Sequence, residues 1–329
     1  MMKKILFALL CVVPMCALSA VVEQGSCWTD GMVMLRAREV NNGVATLMGG
    51  TLHEGGYQFR LVAADGGDDY VVRPAEGESD EFCSFGGTTR NGDHVTIEEV
   101  GGTRLLVARH TDGTITYVYQ EYNESLRDLM IRDLRMTYAG TYVDAQGGQW
   151  VFTLDGKLQR PGMAAAQPYT NMDIFEMPSE VIKTNPGEYL EIRPSTTGLN
   201  VYRCQFDEEI EVFDSQQTKP VAKLRRTGSP WASAGIFPYT SEVLLMPTMA
   251  SLYDNRALRL MRNEIWARHG YQFSSSDLQC HFGQQPWYTP CATGNSGIAL
   301  SPIEQMNVDI IRSIELIPNR DWVVTEAGL

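Results

Sequence analysis

The chain lacks the short motifs that announce most chemistries. It has no P-loop, no dinucleotide fingerprint and no HExxH helix. Each of those patterns exists because a phosphate, a pyrophosphate or a zinc ion needs particular residues at a particular spacing. No two cysteines stand in a CxxC arrangement, so redox and zinc-binding readings have little to rest on. Histidine is scarce, with five in 329 residues. Basic charge is short as well: 27 Lys and Arg face 40 Asp and Glu, a net of −13. A surface of that sign repels phosphate backbones and anionic lipid heads, which argues against nucleic acid as a partner. After the first twenty residues no long apolar run occurs, so no transmembrane segment is expected.

What is present begins at the amino end. MMKKILFALLCVVPMCALSA carries Lys3 and Lys4, an uncharged apolar run from Ile5 to Leu18, then Ser19 and Ala20. That is the layout of a secretory signal peptide over residues 1–20, cut near 19–21. The mature chain is then expected outside the cytoplasm, in the periplasm, on the outer surface or secreted. A lipid anchor on Cys16 or Cys11 is the alternative, although neither follows the small residues such signals prefer. Without the leader, 25 basic residues oppose 40 acidic ones, a net of about −15. Such a balance favours solubility, or a basic partner or cations.

Five cysteines remain after the leader: Cys27, Cys83, Cys204, Cys280 and Cys291. In an oxidising compartment some should pair. Cys280 and Cys291 stand eleven apart in one compact segment and are expected to pair. Cys27 with Cys83 is the second candidate, which leaves Cys204 free. Spacing alone does not fix connectivity.

The stretch from 25 to about 226 reads as β. Asn42-Gly43, Asn91-Gly92, Asp112-Gly113 and Asp155-Gly156 mark hairpin turns beside candidate strands. The flanks alternate. Tyr57, Phe59 and Leu61 share one strand face; Ile115, Tyr117 and Tyr119 share another; Trp150, Phe152 and Leu154 a third. GGYQFRLVAADGG (55–67) and GGQWVFTLDGK (147–157) echo each other, which fits either two related modules or strand alternation seen twice. The expectation is two antiparallel β modules, barrel- or sandwich-like, at 21–133 and 134–235. NESLRDLMIRDLRM (123–136) has helical spacing and is expected to connect them. The Gly-, Ser- and Pro-rich stretch from Thr227 to Pro247 reads as a linker.

Beyond it the period becomes helical. A helix is expected from Ser251, as N-cap, to the stop at Gly270, with Leu258, Met261, Ile265 and Arg268 recurring. A short helix is expected in SSSDLQCHF (274–282). A third follows in SPIEQMNVDIIRSIEL (301–316), where Ser301 and Glu304 form a capping box and Pro302 takes the first helical position. The whole is therefore an α+β multidomain chain that ends in a small, disulfide-containing helical module at 241–320.

This C-terminal segment carries a family resemblance. LRLMRNEIWARHGYQFSSSDLQCHFGQQPWY and SPIEQMNVDIIRSIE resemble the YARHG domain, whose naming motif here reads Trp266-Ala267-Arg268-His269-Gly270. Trp replaces the motif's Tyr. Arg262-Asn263-Glu264, Phe273, Phe282, Pro286-Trp287-Tyr288, Glu304 and Asn307 fit the pattern as well. The resemblance covers about 241–317. It implies a small extracellular bacterial domain, found alongside peptidase and kinase domains, and it carries over no catalytic role. The β region resembles no named family.

The densest polar cluster is this same motif. Arg262, Asn263, Glu264, Arg268, His269, Trp287 and Tyr288 are the candidate binding residues. The competing reading is that they order a module too small to hold itself by core alone. Glu264 and Arg268 stand in the favourable i, i+4 order, and His269 sits at a helix C-terminus. Other features carry little. His269, His281 and Glu264 lack zinc spacing, so no metal is expected. DGGDD (65–69), EGESDEF (76–82) and DEEIE (207–211) lack an EF-hand pattern and read as turns or solvated edges. Ser296 lacks a nucleophile-elbow context. His94 and His110 lie in strand-like runs. No catalytic residue and no cofactor is assigned. The leading expectation is a non-catalytic exported protein that binds a cell-envelope polymer or another exported protein. The alternatives are an envelope hydrolase with its site in the β region, and a barrel that holds a small ligand.

Overall fold

The computed structural model describes residues 22–317, apart from 32, 42–43, 52–55, 64–69, 75–80, 85–86, 91, 124, 175–176, 186, 196, 208–211, 215–218, 248–249, 251–252 and 293. The expected signal peptide and the Asn42-Gly43 turn therefore lie outside the described residues. So do 65–69 and most of the two other acidic clusters.

The first β unit runs through β1 (Cys27–Thr29), β2 (Val33–Asn41), β3 (Val44–Thr51), β4 (Gly56–Ala63), β5 (Tyr70–Pro74), β6 (Glu81–Ser84), β7 (Gly87–Arg90), β8 (His94–Val100), β9 (Thr103–Arg109) and β10 (Ile115–Glu121). Eight of these strands close into an antiparallel barrel in the order β1-β10-β9-β8-β5-β4-β3-β2, while β6 and β7 pair only with each other. Closure removes the exposed edges that an open sheet would carry. Period-two alternation points Leu35, Leu47, Leu61, Val72, Leu106 and Tyr119 inward around Trp28, all 7% exposed or less. One expected face splits. Pairing shifts register between Ile115 and Tyr117, and this bulge turns Ile115 out of the barrel core that holds Tyr117 and Tyr119.

β9 is buried on both faces. Leu106 and Ala108 face the barrel core, whereas Leu105 and Val107 face the C-terminal helices. The run RLLVA carries this signal, because a strand without alternation is one covered on two sides.

Helix α1 (Leu126–Tyr138) leads into the second unit: β11 (Gly140–Val143), β12 (Gln149–Phe152), β13 (Lys157–Gln159), β14 (Gln167–Pro168), β15 (Thr170–Ile174), β16 (Met177–Lys183), β17 (Tyr189–Ser195), β18 (Gly198–Asp207), β19 (Val212–Asp214) and β20 (Ala222–Gly228). The strand order is β14-β13-β12-β11-β20-β18-β17-β16-β15, with β19 paired to the free end of β18. Its two ends, β14 and β15, are separated in sequence only by Tyr169. One kinked stretch thus serves both ends, and the sheet returns on itself. Its core gathers Tyr138, Tyr142, Phe152, Leu158, Ile182 and Leu190 under α1. Leu154 leaves the face that Trp150 and Phe152 share. β12 stops at Phe152, and Leu154 rides the Asp155-Gly156 turn at 42% exposure. The echo of 55–67 in 147–157 also falls on unlike positions, the fourth strand of one unit and the second of the other.

The C-terminal helices are α2 (Asn255–Arg268), α3 (Ser276–Gly283) and α4 (Pro302–Glu315). Asp254 caps α2, its carboxylate accepting from Ala257 N at 2.7 Å; Ser251, the expected cap, lies outside the described residues. The capping box on α4 is formed as expected, with Glu304 N donating to Ser301 Oγ at 3.2 Å and Ser301 N to Glu304 at 2.9 Å. The end of α2 is a Schellman closure. Gly270, at φ 76°, donates to Ala267 O, and Tyr271 N reaches Trp266 O at 3.1 Å. The rings of Trp266 and Tyr271 meet at 5.7 Å, supplying the apolar contact that accompanies this motif.

Two expectations fail here. The stretch from 227 to 247 is not an open linker in its second half. Phe237, Tyr239, Thr240 and Met246 are at most 3% exposed, and a short 3-10 turn spans Pro238–Ser241. Its apolar residues fill the space between helices and barrel. Nor is Cys280 joined to Cys291. Cys280 is a free, exposed thiol. Leu278 and Phe282 on α3 point into the core, which turns Cys280 outward, while Cys291 N is tied to Gly270 O at 2.7 Å. Cys27 is also a free thiol, so it does not bridge to Cys83. Its Sγ approaches Gly25 O at 3.7 Å.

The helical unit shares one core with the barrel's outer wall. Val100, Leu105, Val107, Ile115 and Val118 of the barrel join Phe237, Ile310 and Ile314 in a single cluster. Gln120 of β10 donates to Leu245 O at 2.9 Å across this junction.

Candidate functional site

The polar motif turns inward. Glu264 is 1% exposed and accepts from Ile236 N at 2.8 Å and Phe237 N at 2.7 Å. Arg268 pairs with the same carboxylate. It also donates to Ala234 O at 2.7 Å, Phe237 O at 2.7 Å, Thr240 Oγ1 at 3.0 Å and Ser241 Oγ at 2.8 Å. Burial holds the Glu264 carboxyl above the ordinary carboxylate range, although Arg268 and the two backbone N–H groups pull it back. Gly235 fits because a Cβ there would lie 2.3 Å from Glu264. The pair therefore clasps residues 234–241 against α2.

The other candidates are held in the same way. Arg262 pairs with Glu315 of α4 at 2.6 Å. Asn263 donates to Arg259 O at 2.7 Å, one turn back. His269 Nε2 lies 2.9 Å from Glu304 Oε1. Burial pushes the Glu304 carboxyl up, yet bonds from Ser301 N–H, Ser241 and His269 outweigh it and leave the group below its usual value. Tyr288 donates to Tyr271 O at 2.7 Å, and Trp287 packs edge-on against Phe282 at 6.1 Å. The seven candidates lie on one small unit, and the polar groups of Arg262, Asn263, Glu264, Arg268, His269 and Tyr288 are directed to its own helices and loops.

Sequence reasoning missed a concave site. A cleft of about 490 Å³ opens between the barrel, α1, the second β unit, the connecting segment and α4. The barrel contributes Thr103 and Gln120, α1 contributes Arg132 and Asp133, and Leu154 comes from the second unit. Trp231, Glu242 and Leu244 line it from the connecting segment, and Ile303 from α4. Clefts of this size at junctions between domains are the usual place for ligands. Asp133 is 4% exposed and stands between the cleft and a small internal cavity of about 10 Å³, which Thr137, Tyr239 and Tyr253 also line. Arg132 remains 54% exposed, with its Nε 3.5 Å from Asp133 Oδ1. Glu242 accepts from Ser233 N at 2.7 Å. Trp231 Nε1 is buried and has no hydrogen-bond acceptor among the described residues. No local spacing could reveal this site, because its residues come from positions 100 to 303.

The remaining candidates resolve more simply. His110 Nδ1 lies 3.2 Å from buried Asp93, which also accepts from Thr116 at 3.0 Å. Among the described residues, no serine or cysteine side chain hydrogen-bonds to His110. His281 is kept below its ordinary value by burial and then by Arg256. No group of three metal-ligating side chains is found among the described residues. Among the described residues of the barrel interior, side chains pack around Trp28.

Fold and site together define two antiparallel β units connected by α1, followed by a small C-terminal helical unit that packs on the barrel's outer wall. The model of the YARHG domain matches residues 235–316. That range includes the clasped strip at 235–241, which a start at 241 would omit. No curated protein and no solved structure matches the chain. No helix among the described residues is long and apolar enough to cross a membrane.

Proposed function

We propose that this is an exported, non-catalytic binding protein, and that it holds a component of the cell envelope in the cleft between its units. The observation that carries this reading is the cleft itself, at about 490 Å³ with mixed polar and apolar walls drawn from the barrel, α1, the second β unit, the connecting segment and α4. The leader-like residues 1–20 and the YARHG match at 235–316 support export. In this reading the YARHG unit is a docking element. Its clasp fixes residues 234–241, and the strand of chain that follows supplies Glu242, Val243 and Leu244 to the cleft wall.

Co-sedimentation with insoluble envelope polymer tests the idea. The wild-type chain should pellet with the polymer. Leu154→Arg, which places a charge on an exposed rim residue, should reduce that binding at least tenfold without changing thermal stability. Equal pelleting of both proteins, or of neither, would sink the proposal.

A further inference from the structure

We propose that the outer face of the β18–β19 pair docks an arginine-bearing segment of another exported protein, with Phe206 as the ring beneath the guanidinium. The surface lies on the second β unit, and none of its residues lines the cleft. It therefore stands independently of what the cleft holds.

Strand pairing builds this surface. Leu190, Ile192, Leu199 and Val201 point into the core of the second unit, so period two turns Tyr189 of β17 and Cys204 and Phe206 of β18 to the outer face. Register sets Tyr189 opposite Cys204, and Phe206 opposite Phe213 of β19. The rings meet in a chain, Tyr189 with Phe213 at 5.1 Å and Phe213 with Phe206 at 4.9 Å. Cys204 is covered, but Phe206 remains 42% exposed. An aromatic ring left in water, yet backed by two further rings, has the form of an anchor point for a partner.

Charge selects the occupant. The sequence from Cys204 to Thr218 carries Asp207, Glu208, Glu209, Glu211 and Asp214 and neither Lys nor Arg. Such a run favours a cationic partner and repels an anionic polymer. The same face already shows how its rings take cations. Lys183 Nζ lies 5.5 Å over Tyr189, and Arg193 Cζ lies 4.4 Å over Tyr202. Among the described residues no cation lies over Phe206 or Phe213. A neutral sugar gains little here. Phe206 and Phe213 offer no hydroxyl, and rings tilted by 45° and 51° to one another do not form a flat row for a sugar chain to cover. A guanidinium is planar and weakly hydrated, so it stacks on a ring better than an ammonium does.

Titration calorimetry on the full chain provides the test. The probes are a peptide of alternating arginine and glycine, its lysine and citrulline analogues, and a neutral chitin trisaccharide. The arginine peptide should bind. Citrulline keeps the shape and loses the charge, and should weaken binding at least tenfold; lysine keeps the charge and should weaken it about threefold. Phe206→Ala should weaken the arginine peptide about fivefold and remove its advantage over lysine, whereas Phe206→Trp should retain both. Asp207→Asn combined with Asp214→Asn should weaken binding and flatten its dependence on salt. Equal binding by Phe206→Ala, equal binding of the citrulline peptide, tighter binding of the trisaccharide, or no binding of the arginine peptide would each overturn the assignment. Leu154→Gln, on the rim of the cleft, should leave the arginine peptide bound as in wild type. A loss there would move the peptide to the cleft and end the case for the hairpin. Should the arginine peptide bind through Phe206 while envelope polymer fails to pellet the protein, the docking surface stands and only the cleft reading falls.

Discussion

Arg268 and Glu264 form an ion pair within α2, and both side chains reach the same strip of chain at 234–241. Arg268 is 9% and Glu264 2% exposed at the side chain. Removing one partner would leave a buried charge, which costs far more than losing an exposed helical pair that water screens. What it secures is tertiary: an otherwise loose segment becomes part of the core.

Arg268→Met should therefore destabilise the C-terminal unit by about 3–5 kcal/mol, because Glu264 would be left as an uncompensated buried charge. The loss should depend on pH. Without Arg268 the folded carboxyl rises further above its unfolded value of 4.5, so the folded state holds the proton more tightly than the unfolded one. The deficit relative to wild type should then be smallest at low pH, where only the lost hydrogen bonds of Arg268 count, and grow as pH rises through the raised folded value of the wild-type carboxyl. Urea melts at pH 4 and pH 7 measure this. A deficit that does not change with pH would mean that Glu264 is not the group responsible.

Gly270→Ala tests the end of α2. At φ 76° an L side chain is strained, and the added Cβ would meet Thr289 O at 2.7 Å and Cys291 N at 3.0 Å. Both neighbours are backbone and have little room to move. The left-handed strain alone costs about 1–2 kcal/mol, so the substitution should lower Tm by several degrees. An unchanged melt would show that the 289–291 segment is not seated against this turn.

These two sites mark how far the sequence could be read. Gly270, the capping box of Ser301 and Glu304, and the stripe Leu258, Met261, Ile265 were legible because each depends on neighbours within one turn of helix. The β character of 25–226 was legible from turns and alternation. Closure of the barrel was not, since it depends on β1 meeting β10 across ninety residues of intervening chain. The composition of 227–247 misled: GSPWASAGIFP looks like a linker, but Phe237 and Tyr239 are core residues that happen to sit among turn formers. The cleft was invisible because its walls share no spacing. Asn307 fitted the family pattern, yet only the structure gives it a task.

Thiol chemistry offers a separate check on α3. Cys204 is 4% exposed, and burial, then the nearby Glu191, pushes its thiol up to about 12. The thiolate is the nucleophile, so this group should resist iodoacetamide at pH 8 until the protein unfolds. Cys280 is exposed and should be alkylated in the native state. Mass spectrometry of labelled peptides reads both. If Cys280 became reactive only after a reductant was added, the outward-facing geometry of α3 would be wrong.

Asn307 connects stability to the cleft. It is fully buried, and its amide accepts from Leu245 N at 2.8 Å while donating to Thr240 O at 2.8 Å and Val243 O at 2.7 Å. All three partners belong to the strip that carries Glu242, Val243 and Leu244 into the cleft. Removing the amide leaves buried backbone groups unpaired, at about 1–3 kcal/mol each. Asn307→Ala should therefore loosen residues 240–245 before it unfolds the β units. Hydrogen exchange should show faster labelling at Leu245 N, with protection in β2 and β3 unchanged. Binding of envelope polymer should fall in parallel, because the cleft loses one wall. If exchange at 240–245 rose while polymer binding stayed at the wild-type level, the ligand would be held elsewhere on the molecule.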